Sequence, residues 1–94
     1  MEDKITQEKL EKYFSVTRKA LEIARENIFD GKHEESKEII EMVENYLSDA
    51  RHFMDKEDFV NAFGALNYSH GWIDCGARLG IFDVEDRDLF TVAD

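Results

Sequence analysis

Apolar residues recur along this chain with the period of an α-helix. Between Thr6 and Asp30 the stripe is Leu10, Phe14, Thr17, Leu21, Ala24 and Ile28, in steps of 4, 3, 4, 3 and 4. Such steps place every member on one helical face. Tyr13, Ala20 and Ile23 widen that face, which suits contact with two neighbours. Thr6 is the N-cap candidate, and Asp30-Gly31 is a stop signal. A second stripe follows from His33 to Met54: Ile39, Val43, Tyr46, Ala50 and Phe53, flanked by Ile40, Leu47 and Met54. Its wet side carries Glu38, Glu41, Glu44, Asn45, Ser48 and Asp49.

Asp55-Lys56-Glu57-Asp58 breaks the pattern, with Asp55 placed to cap a third helix. In that helix Phe59, Phe63, Leu66, His70, Ile73 and Ala77 repeat the 4, 3, 4, 3, 4 spacing, and Gly80 ends it. The chain contains no proline, so nothing interrupts these runs from within. The pattern predicts helices over about 6–30, 33–54 and 57–79. Short breaks between long helices favour antiparallel neighbours. The expected fold is all-α, an antiparallel up-down-up three-helix bundle over residues 1–82. An acidic tail, 83–94, follows. Leu89, Phe90 and Val92 offer the tail a way to dock; without them it frays, and the balance tips slightly towards fraying.

The third helix breaks the amphipathic rule. From Phe59 to Ile73 it holds no Asp, Glu, Lys or Arg. Advancing by the helical period sorts it into three sides. The core side is Phe59, Ala62, Phe63, Leu66, Ser69, His70, Ile73 and Ala77. A second side holds Asn61, Ala65, Tyr68, Trp72, Gly76 and Leu79. A third holds Val60, Gly64, Asn67, Gly71 and Arg78. Two sister helices cover the core side and part of one other, which leaves roughly one low-charge side uncovered. Tyr68 and Trp72, with Ala65, Gly76 and Leu79, are therefore the candidate partner-binding surface. Large aromatics beside small residues let another backbone approach closely. The competing reading lays the acidic tail over this side. A protein partner is expected, a second copy among the possibilities, since two-fold homodimers are the commonest assemblies.

Asn67, His70, Asp74 and Arg78 form a polar seam in the same helix. It reads more readily as a hydrogen-bond network that sets helix register than as a seat for a small polar ligand. Asp49 and His52, spaced i, i+3, lie on the wet side of their helix and lack the second acid-His pair of a di-metal bundle. No metal ligand set and no cofactor are assigned. Cys75 has no CxxC partner, no glycine-rich phosphate loop is present, and no catalytic residues emerge.

With 22 acidic and 12 basic residues the net charge is −10. Phosphate backbones are bound by clustered Lys and Arg, so nucleic acid is a poor partner for this chain, and anionic lipid likewise. A single cysteine fits a reducing compartment. No apolar run approaches the length of a membrane span. Together these point to a cytoplasmic protein.

The segment Ala65-Leu-Asn-Tyr-Ser-His-Gly-Trp-Ile-Asp-Cys-Gly-Ala-Arg-Leu-Gly80 resembles the signature of DUF357, an archaeal family of unknown function. The resemblance maps onto Asn67, Tyr68, Gly71, Trp72, Asp74, Arg78, Leu79 and Gly80. Tyr46, Asp49, Ala50, Phe53 and the stretch from Phe59 to Ala65 also fit. It implies a small helical fold and an archaeal source, and it supplies no activity. Some relatives are joined to a nucleotidyltransferase-like domain, which implies an accessory role.

Overall fold

A computed structural model describes residues 4–90. It contains three helices: α1 (Gln7–Glu26), α2 (His33–Asp55) and α3 (Phe59–Arg78). They form the up-down-up bundle that the periodicity predicts. The molecule is flat and elongated, 41 × 26 × 16 Å.

Each helix end has a physical cause. The Thr6 hydroxyl caps α1 by accepting from the Lys9 amide at 3.1 Å. α1 stops at Glu26, four residues before the Asp30-Gly31 signal. The Asn27 side chain donates to the Ile23 carbonyl at 2.7 Å, closing the last turn. The next residues leave the helix to pair with the chain beyond α3. The Phe29 amide donates to the Ile81 carbonyl and the Asp83 amide to the Asn27 carbonyl. Ile28 and Phe82 form an antiparallel bridge there. This pairing joins segments more than fifty residues apart, so a local pattern carries no trace of it.

Asp55 does not cap α3. It is the last residue of α2, and Glu57, at φ 59°, turns the chain. Asp58 caps instead, accepting from both the backbone and the side chain of Asn61. At the far end Gly80, at φ 73°, takes the left-handed position. The Ile81 amide then reaches back to the Gly76 carbonyl at 2.9 Å, and Ile81 and Phe82 fold into the core.

α2 and α3 form the most extensive helix pair. Small residues allow it: Ala50 on α2, and Ala62, Ala65, Ser69 and Gly76 on α3, are all buried. The Ser69 hydroxyl donates to the Val43 carbonyl at 3.1 Å, across the two backbones. α1 packs more loosely. It is tied to α2 at one end by a two-pronged Arg51–Glu11 pair at 2.8 and 3.1 Å. The Arg51 guanidinium also lies 4.5 Å from the centre of the Phe14 ring. This pairing holds the Glu11 carboxyl below its ordinary pKa. At the other end Arg25 meets Glu44 at 3.4 Å.

The tail docks. Leu89 and Phe90 are buried, while Val92 lies outside the described residues. From the Phe82 bridge the chain runs back towards the middle of α3, bringing the Leu89 carbonyl to His70.

Candidate functional site

The burial pattern of α3 is rotated from the one its spacing predicts. The buried residues are Ala62, Ala65, Leu66, Ser69, Ile73, Gly76 and Ala77, whereas Phe59, Phe63 and His70 are only partly covered. Two packing facts cause the rotation. α2 sits tightly against the small residues on one flank. α1 and the tail, on the other flank, cover the larger side chains less completely.

The five candidate partner-binding residues therefore separate. Ala65 and Gly76 are covered by their own chain. A Cβ placed on Gly76 meets the Phe82 ring at 2.5 Å, so this glycine makes room for the internal approach of Phe82. Trp72 is half-buried. Tyr68 and Leu79 remain in solvent, at 53% and 67% exposure. The exposed face is centred between the second and third sides, and it recruits Val60, 73% exposed, together with Gly64, Asn67, Gly71 and Cys75. The signal for these was present in the uncharged run. Only the placement of α2 decides where on that run the solvent begins.

Up to Phe90, the described part of the tail leaves this face open. It lies against the His70 side of α3, where the Leu89 carbonyl ends. Tyr68 is the middle ring of an aromatic row. Its ring meets Tyr46 edge-on at 4.6 Å and Trp72 at 6.4 Å. On either side of it lies a shallow hollow. One is lined by Asn67, Gly71, Trp72 and Cys75. The other is lined by Tyr46, Asp49, Phe53, Asn61, Gly64 and Ala65. A Cβ at Gly64 or Gly71 would meet nothing within 4 Å, so both glycines leave the helix backbone open to an approaching surface.

The polar seam also divides. Asn67 and Arg78 are exposed. His70 joins three segments: its Nδ1 lies 3.0 Å from the Thr17 hydroxyl of α1, and its Nε2 lies 2.7 Å from the Leu89 carbonyl of the tail. A carbonyl only accepts, so Nε2 carries the proton. In the neutral ring Nδ1 then accepts from Thr17. Asp74 Oδ1 stands 3.7 Å from Nε2, beyond hydrogen-bond length. Among the described residues no three His, Cys, Asp or Glu side chains converge as a metal site, and no helix is long and apolar enough to cross a membrane.

A family model for a protein of unknown function, DUF357, matches residues 12–82. The chain belongs to the DUF357 family. No curated protein and no solved structure gives a significant match. The DUF357 match takes in the aromatic row, both hollows and Phe82, whose ring fills the space beside Gly76.

Proposed function

We propose that this chain is a non-enzymatic interaction module that offers the outer face of α3 to a partner protein. One observation carries the reading. On a chain of net charge −10, a helix face from Val60 to Cys75 is exposed and free of charge, with Tyr68 standing between two hollows. A solvated helix face normally carries charge. Aromatic residues enriched at binding hot spots contribute most when they are already held in place, and Tyr46 and Trp72 hold Tyr68.

The rival reading, a ligand seam on Asn67, His70, Asp74 and Arg78, has less support. Both ring nitrogens of His70 are engaged by Thr17 and Leu89 of the same chain.

Affinity purification from native cells tests the proposal, comparing the natural chain with Gly71→Glu. A Cβ at Gly71 meets nothing within 4 Å, so the variant keeps the fold, as circular dichroism should verify. A partner recovered with the natural chain, an untagged copy included, should fall at least ten-fold with Gly71→Glu. Equal recovery by both chains would place binding elsewhere on the molecule.

A further inference from the structure

We infer that the occupant of the α3 face is a second copy of this chain, docked α3 to α3 in antiparallel orientation with Tyr68 of each copy over Gly71 of the other. The inference rests on the interaction reading above and names its partner. Tyr68 is a knob, and the hollow beside it is floored by Gly71 and walled by Asn67, Trp72 and Cys75. Knob and hole thus lie on one surface, as a two-fold interface requires, because each copy must supply both.

The register is set by that pairing. In an antiparallel pair, setting Tyr68 level with Gly71 also sets Cys75 level with Gly64 and Val60 level with Leu79. Val60 and Leu79 are the two most exposed large apolar residues of the described chain, at 73% and 67%. The glycine opposite Cys75 has open space above it. One register therefore covers every large exposed apolar group on α3.

Charge selects the direction. Glu57 and Asp58 stand at the start of α3 and Arg78 at its end. The antiparallel arrangement brings Arg78 of one copy near the acids of the other. A parallel arrangement sets acids against acids and Arg78 against Arg78. Elsewhere two copies of net charge −10 repel, and the uncharged strip is the surface on which that repulsion is least. α3 has 20 residues, about 30 Å of helix. A strip of that length and about 10 Å wide falls short of the roughly 800 Å² per partner typical of stable complexes. The dimer is accordingly concentration-dependent.

Disulfide trapping tests partner and register together. Gly64→Cys, made with Cys75 retained, is oxidised and run on a non-reducing gel. The two thiols sit on one helix about 16 Å apart along its axis, too far for a bond within one copy. A covalent dimer is expected from Gly64→Cys. None is expected from the natural chain or from Gly64→Cys combined with Cys75→Ser. A dimer of the natural chain through Cys75 alone would set the two Cys75 residues level and overturn the proposed register. No trapped dimer, with a monomer in sedimentation at millimolar concentration, would exclude the second copy. The interaction reading is decided separately, by whether Gly71→Glu loses a different protein.

Discussion

Gly76 shows how one residue couples a helix to the segment beyond it. Its missing side chain leaves room for Phe82, whose ring atoms lie 2.5 and 2.6 Å from where a Cβ would stand. Alanine is better than glycine within a helix by about 1 kcal/mol. Forcing a methyl into a packed site costs about 1–3 kcal/mol. Phe82 is 2% exposed and cannot swing away, so the clash should outweigh the propensity. Gly76→Ala should lower stability by about 1 kcal/mol in urea unfolding, and the loss should vanish when Phe82→Leu is introduced beside it. If Gly76→Ala is neutral alone, the ring is less confined than its burial indicates. Gly64 and Gly71 are the contrast: they too lie within α3, but face open space. Helical spacing puts Gly76 on a different side from Gly64 and Gly71, but does not fix which side is filled, because that depends on what arrives from elsewhere in the chain.

Among the elements, α1 and the described part of the tail meet on one side chain of α3. His70 is the joint, with Thr17 of α1 on one nitrogen and Leu89 of the tail on the other. Each such hydrogen bond contributes about 1 kcal/mol net. His70→Ala should therefore release the tail before the α2–α3 pair loosens. The amides of Leu89 and Phe90, both bonded to the Asp86 carbonyl, should exchange roughly ten-fold faster, since a tenfold change corresponds to about 1.4 kcal/mol. Buried α2 amides near Val43 and Leu47 should change by no more than the overall stability does. Uniform acceleration across the chain would mean that the tail is part of one cooperative unit.

For the whole molecule, charge sets the balance. The ion pairs Arg25–Glu44, Lys32–Glu35 and Lys37–Glu34 are largely exposed, at 3.4–3.9 Å, and pairs of this kind contribute little. The repulsion among 22 acids facing 12 bases acts over the entire surface. Salt screens both, with a Debye length that shrinks from about 30 Å at 0.01 M to about 8 Å at 0.15 M. Relief of repulsion should win. The melting temperature should rise by a few degrees between those two concentrations, measured at a fixed protein concentration. A falling melting temperature would show that the ion pairs outweigh the net charge.

The sequence by itself determined that there are three helices, their antiparallel order and the unusual α3, because a helix is a local structure whose apolar period is written along the chain. It also exposed the uncharged run and the glycine stop at Gly80. Tertiary structure decided what distant segments bring together. α1 ends early because residues 27–29 pair with 81–83. The tail as far as Phe90 lies on the His70 side, and α3 is rotated so that Ala65 and Gly76 turn inward while Val60, Tyr68 and Leu79 stay in water. Periodicity fixes which residues share a face. The neighbour that a face meets depends on how closely the helices approach, and here small side chains on α2 and α3 set that distance.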